Sequence, residues 1–229
     1  MRYSGVLFDL FGTLIPPFRM REHMGTIRDC ASRLGIDFNA FHSRWHETFP
    51  RRIRGEFGSI AGELRYIAQS LGQRVEDEAL SRAEERYSRF TLEGLTPVEG
   101  AIETLSDLAS RGMRVGLVTN CAPDVPLLWS KSVFAGHIPY CAFSCTMGAA
   151  KPEPGIFRAA LAALGLRASE TLYVGDGSDG ELSGAARCGM TPVLVQVDLS
   201  NTYDPQREDT AAWDGLVIRR LPEIVDLLG

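Results

Sequence analysis

Residues 5–14 read Gly-Val-Leu-Phe-Asp-Leu-Phe-Gly-Thr-Leu, an apolar run that ends on a lone carboxylate, Asp9. A Gly-Thr turn follows at once, and then Pro16 and Pro17. A short, nearly continuous apolar run is the pattern of a strand buried on both faces, as in a parallel sheet. The prolines lack an N–H and fix φ, so the strand has no simple continuation. Open α/β sheets bind ligands in the crevice at the carboxyl ends of their strands, and Asp9 falls there. Gly12 allows a turn tight enough to offer backbone N–H groups to an anion. Taken alone, the stretch fits an ordinary strand-ending Asp turn equally well.

Downstream the hydrophobic period changes twice. Residues 18–94 carry helical spacing and no convincing strand. Helices are expected over 20–34 with Gly35 as stop, over 38–54 with Asn39 near the start, over 60–71 between Ser59 and Gly72, and over 76–92 with Gly94 closing it. From Leu95 helices alternate with apolar runs. Thr96 as N-cap, Pro97 at N1 and Glu99 at N3 predict a helix that runs to Arg111 and stops at Gly112. Strands are expected over 113–120, 140–145, 171–176 and 191–197, with a short one within 211–219. Helices are expected over 123–133, from 151–157 onward to Leu164, over 181–188 and over 222–228. This alternation predicts right-handed βαβ crossovers and an α/β fold, a doubly wound, Rossmann-like parallel sheet. Residues 1–16 and 95–229 form the expected core. Residues 17–94 form an inserted all-α unit that leaves after the first strand and returns before the second, which places it as a lid over the carboxyl edge.

Composition narrows the function classes. The formal net charge is −5 over 229 residues, so no global basic surface suits nucleic acid. No apolar run approaches the ~20 residues of a membrane helix. The first strand begins almost at the N-terminus with no secretory pattern before it, so the expected location is the cytoplasm. Five cysteines (Cys30, Cys121, Cys141, Cys145, Cys188) are scattered without a CxxC pair and read as reduced thiols. A monomer or homodimer is expected. Arginines gather in the first half of the insert, among them Arg44, Arg51, Arg52 and Arg54. They read as solvated helix faces, or as one or two side chains clamping an anionic substrate.

Polar groups fall at four strand ends or nearby loops: Asp9, Thr119 with Asn120, Lys151, and Asp176 with Asp179 and Glu181. Their order resembles the haloacid dehalogenase-like hydrolase superfamily, whose first motif is Asp-x-Asp-Gly-Thr. Asp9-Leu10-Phe11-Gly12-Thr13 matches it except at Phe11. Thr119 matches the Ser or Thr of the second motif, and Lys151-Pro152 the lysine of the third. Gly175-Asp176 matches the fourth, with Glu181 five residues on as the second acid; Asp179, three residues on, fits that spacing less well. The insert matches the cap that this superfamily places between its first two motifs.

The resemblance implies that Asp9 is a nucleophile forming a covalent aspartyl intermediate. It implies Mg²⁺ held by Asp9, Asp176, the main-chain carbonyl of Phe11, and Glu181 directly or through water. Thr119, Asn120, Lys151 and N–H groups around Phe11 and Gly12 would hold the phosphoryl oxygens of a small phosphorylated substrate. The phosphatases of the superfamily carry a proton-transferring Asp two residues after the nucleophile, where this chain has Phe11. Three readings follow: a phosphatase whose proton comes from elsewhere, a 2-haloacid dehalogenase-like hydrolase attacking carbon, or a non-catalytic relative that binds a phosphorylated ligand. The retained Gly175-Asp176 and Glu181 favour metal and phosphorus chemistry.

Overall fold

The computed structural model describes residues 2–211 and 213–229, and of Glu208 the main chain alone. Met1 of the expected core segment and Ala212 of the stretch 211–219 lie outside the described residues. All four residues of β1 (Gly5–Phe8) are buried, as a central parallel strand requires. The insert follows as α1 (Met20–Leu34), α2 (Phe38–Glu47), α3 (Phe49–Arg52), α4 (Ile60–Ser70) and α5 (Asp77–Gly94). The chain continues through α6 (Ala101–Ser110), β2 (Arg114–Thr119), α7 (Asp124–Trp129), β3 (Tyr140–Phe143), α8 (Ser144–Met147) and α9 (Pro154–Ala163). It ends with β4 (Thr171–Gly175), α10 (Glu181–Arg187), β5 (Thr191–Val195), α11 (Glu208–Ala211), β6 (Leu216–Ile218) and a 3₁₀ segment, Leu221–Leu227.

The six strands form one parallel sheet in the order β3-β2-β1-β4-β5-β6. The chain builds outward from β1 to β3, then returns to the other side of β1 for β4. The switch point therefore lies between the carboxyl ends of β1 and β4, where such sheets open a crevice. Phe8 pairs with Val174, so Asp9 and Asp176 emerge side by side. Alternate strand residues feed two cores. Val6, Phe8 and Val174 face α6 and α7, while Leu7, Val118 and Tyr173 face α9 and α10. The insert has an apolar cluster of its own, including Ile27, Phe41, Trp45, Leu64 and Leu80.

Several expected boundaries move, each for a local reason. The predicted helix 38–54 is broken at Thr48 into α2 and α3. Pro50 has no N–H and its ring collides with the preceding turn, and the Thr48 hydroxyl bonds back to Arg44 O at 2.9 Å. Thr96 does not cap α6. Its hydroxyl donates to Glu93 O at 2.8 Å, and the cap is Gly100 at φ 78°. Val98 N–H is drawn instead to Leu14 O at 3.0 Å, which ties this segment to the loop after β1. The third strand ends at Phe143 rather than Cys145. Residues 123–133 form only α7 and the start of a 3₁₀ turn, Val133–Gly136, and the closing segment is 3₁₀ rather than α-helical.

Candidate active site

Asp9 follows β1 directly, and its N–H donates to Val174 O at 2.9 Å. Lys151, ahead of α9, donates through Nζ to Asp9 Oδ1 at 2.6 Å and to Glu181 Oε2. Glu181 opens α10. Its Oε2 also accepts from Tyr173 OH at 2.8 Å, and its Oε1 from Gly177 N at 2.9 Å. Asp176 follows β4, and Arg207 Nη1 lies 2.5 Å from its Oδ2. All five ionic side chains are buried. Removing such charges from water is costly, so each must find a counter-charge. Burial pushes Asp9 up to about 6, with Asp176 adding and Lys151 opposing. Burial and Asp9 push Glu181 up to about 8, again against Lys151. Burial alone would lower Lys151, but the surrounding carboxylates outweigh it and hold it above the ordinary lysine value.

Three acidic side chains thus gather around two cationic ones. Asp9, Asp176 and Glu181 each place an oxygen within 4.8 Å of the others. Asp9 Oδ2 is buried without a hydrogen-bond donor, and Asp176 Oδ2 has only its ion pair with Arg207. Buried polar atoms are nearly always satisfied, so an orphaned Asp9 oxygen with two further carboxylates within 4.8 Å fits a hard divalent cation with oxygen ligands. Both oxygens of Glu181 are already engaged, which suits contact through water better than direct ligation. Gly12, at φ 79°, lies so close that a Cβ there would overlap Asp176 Oδ2.

The expected oxyanion groups divide into free and engaged. Thr119 Oγ1, at the end of β2, is buried and unpartnered, as is Thr13 Oγ1. The side chain of Asn120 is not free, contrary to expectation. Its Oδ1 accepts from Lys151 N at 2.8 Å, and its Nδ2 donates to Lys151 O at 3.1 Å and to Asp179 Oδ2 at 2.8 Å. It therefore ties the second-motif loop to the third and fourth, and only its main chain remains for an anion. Asp179 adopts φ 54°, a conformation that Asp tolerates better than most residues. It contacts Asn120 instead of joining the group formed by Asp9, Asp176 and Glu181.

A cavity of about 280 Å³ opens above Asp9 and Lys151. Phe11 lines it and packs edge-on against Phe18 with ring centroids 5.5 Å apart. Phe18 in turn meets His23 of α1 at 4.6 Å and Phe90 of α5 at 5.7 Å. At the position where the family's phosphatases carry a proton-transferring acid, this chain's Phe11 makes an aromatic contact that joins the first loop to the insert.

A family model, haloacid dehalogenase-like hydrolase, matches residues 3–189. The chain belongs to this family. It is a hydrolase with the Rossmann-like core expected of one. It is 27% identical to a ribulose-1,5-bisphosphate 5-phosphatase from Halopiger xanaduensis, over 99% of this chain and 96% of the relative. It is 28% identical to a glyceraldehyde 3-phosphate phosphatase from Methanopyrus kandleri, over 90% and 89%. Among solved structures it is similar in fold to a 2-haloacid dehalogenase from Pseudomonas syringae pv. Tomato, with TM-score 0.70, 23% identity and coverage of 99% and 98%.

This haloacid dehalogenase-like hydrolase also brings to the cavity groups that the sequence motifs do not reveal. Arg207 comes from the loop after β5, and Arg52, Tyr87 and His23 come from the insert. Of the arginines gathered early in the insert, Arg52 is the buried one. Arg44 and Arg51 pair with Glu47 and Glu56 on the surface. Asp124, in the first turn of α7, is 2% exposed and lines the same cavity. Its place five residues after Thr119 was a signal, but an acid beside Pro123 also reads as an ordinary helix start. No helix of the described residues is long and apolar enough to cross a membrane.

Proposed function

We propose that this hydrolase is a Mg²⁺-dependent phosphatase of small phosphorylated metabolites, working through an aspartyl-phosphate at Asp9. The observation that carries the reading is the unpartnered Asp9 Oδ2, held by the Lys151 contact to Oδ1, with carboxylate oxygens of Asp176 and Glu181 within 4.8 Å. Mg²⁺ fits these oxygens, with the Phe11 carbonyl and Glu181 completing the expected set, and when bound it would neutralise charge on the transferring phosphoryl group. Lys151 draws the anionic phosphoryl group toward an anionic nucleophile. Without neutralisation, like charges ~4 Å apart repel by ~4 kcal/mol at an effective dielectric near 20. Thr119 Oγ1 and N–H groups at residues 10–12 and 120 support the equatorial oxygens. Asp9 attacks phosphorus as the ester P–O bond breaks, and the departing alkoxide takes a proton from water. Water then attacks the aspartyl-phosphate, releasing phosphate and restoring the Asp9 carboxylate.

Residues 17–94 act in this reading as a lid that excludes water from the cavity, with hinges near Pro16-Pro17 and Gly94-Leu95. Free cysteines among the described residues accord with a reducing cytoplasm, and a monomer or homodimer with a self-contained site. Phe11 favours a second reading, halide displacement from a 2-haloacid, because attack on carbon needs no general acid. The Asp176 carboxylate, which such chemistry leaves idle, favours phosphorus. The test is turnover on phosphate monoesters and a short 2-haloacid, with and without Mg²⁺, using Asp9→Asn as blank. Mg²⁺-dependent phosphate release lost in the blank is expected. Halide release indifferent to chelator would replace the phosphatase with the dehalogenase.

A further inference from the structure

Asp124 is among the least satisfied charged groups of the described residues. It is buried, it lines the cavity, and neither Oδ1 nor Oδ2 has a hydrogen-bond partner. The Thr91 hydroxyl and the N–H groups of residues 124 and 125 stand near enough to favour its charged form, but burial dominates and pushes it up to about 6. A buried carboxylate with no well-aligned donor can accept a further one, and Asp124 lines the cavity.

Arg52 lines the same cavity and its charge favours the ionised form of Asp124, but its guanidinium is turned elsewhere. Its Nε lies 3.2 Å from Glu63 Oε2, its Nη2 donates to Trp45 O at 2.6 Å, and its guanidinium stacks 3.8 Å from the Trp45 ring. Glu63 is itself anchored by the Thr48 hydroxyl at 2.6 Å. The arginine is therefore engaged by Glu63, the Trp45 carbonyl and the Trp45 ring, and is not a free receptor for a second anion. His23 adds no charge, because burial and the nearby Arg52 hold it down to about 3, and its ring nitrogens face Tyr203 OH at 2.7 Å and Tyr87 OH at 3.5 Å. Asp124 is also outside the cluster at the phosphoryl end: it opens α7 and is not among the carboxylates gathered within 4.8 Å of Asp9.

We propose, resting on the phosphatase reading, that Asp124 is the acceptor of a distal specificity subsite that selects monophosphates whose carbon chain carries a hydrogen-bond donor, and disfavours a second anionic group. A hydroxyl or an ammonium supplies that donor, while a carboxylate or second phosphate meets an unmatched negative charge in a poorly solvated cavity. The cavity volume, at the small end for ligand sites, limits the tail to a few carbons.

The test measures kcat/KM with Mg²⁺ for four esters: glycerol 3-phosphate with a hydroxyl tail, O-phosphoethanolamine with an ammonium tail, phosphoglycolate with a carboxylate tail, and p-nitrophenyl phosphate with none. The wild-type protein is expected to prefer one or both donor-tailed esters over phosphoglycolate by at least tenfold. Asp124→Asn is expected to lower the ratio of donor-tailed to p-nitrophenyl turnover by ten- to a hundredfold, chiefly through KM, the size of one charge-assisted hydrogen bond. A larger fall for O-phosphoethanolamine than for glycerol 3-phosphate identifies the donor as ammonium, and the reverse as hydroxyl. Preference for phosphoglycolate, or an equal fall on all four esters in a folded variant, overturns the subsite. The wild-type ranking decides even if Asp124→Asn fails to fold. No phosphate from any of the four would mean that the phosphatase reading has failed, and the subsite with it.

Discussion

Phe11 stands two residues after Asp9, where the phosphatases of this family carry a second aspartate. Its ring contributes to an aromatic cluster instead of moving a proton. General acid catalysis is typically worth ~10² to 10⁴-fold, and its value grows with the basicity of the leaving group. Phe11→Asp is therefore expected to raise turnover of alkyl phosphates well above any gain on p-nitrophenyl phosphate, whose leaving group needs little help. The same change removes an edge-to-face pair worth about 0.5–1.5 kcal/mol beyond its buried area, so a lower melting temperature should accompany it. Equal effects on both ester types would show that proton transfer does not limit the rate. Asn120 differs in kind: a residue that reads as an anion ligand is, through its side chain, a clasp between three loops.

The element with most influence on the site outside the motifs is the loop between β5 and β6. Asp209 holds it down, with Oδ2 accepting from Leu182 N at 2.8 Å and Ser183 N at 3.1 Å, and Oδ1 from the Ser183 hydroxyl. These N–H groups are the orphaned donors of the first turn of α10. The same loop delivers Arg207 to Asp176, where its Nη1 also donates to the main-chain oxygen at 2.9 Å. It reaches the insert as well, through Met20 N to Asn201 O at 2.9 Å and through Tyr203 to His23. Asp209→Ala is expected to cost about 1–3 kcal/mol in urea unfolding, the penalty for leaving buried donors unmet. It should also raise KM by freeing Arg207. An unchanged unfolding midpoint would remove Asp209 from this role.

At the scale of the whole molecule, core, insert and loop converge on a cavity whose buried charges make stability depend on pH. His23 is held neutral, well below its ordinary value of 6.5. The unfolded chain binds this proton between about pH 6.5 and 3 while the folded chain does not, so its contribution is present above pH 6.5 and is lost as pH falls. The raised carboxyls, Asp9 and Asp124 at about 6, Glu63 at about 7 and Glu181 at about 8, act oppositely. They favour the folded state at low pH and withdraw that support as pH rises through those values. Melting curves of wild type and His23→Gln from pH 7 to 4 should separate the two. The wild type is expected to lose on the order of 3 kcal/mol more than the variant, and parallel curves would refute the assignment. Legible in the sequence were the parallel α/β core, the run of helices between its first two strands, and acidic groups and a lysine at strand ends or nearby loops. Those features rest on local periodicity and on residues adjacent to strands, which any single chain displays. Which way Arg52 turns, that Asn120 is occupied, that Arg207 reaches Asp176 and that Asp124 has no well-aligned donor came from the tertiary structure. Each of these depends on which face of an element meets which neighbour across many residues of chain, and side-chain charge in a buried site is settled by those neighbours and not by position in the sequence.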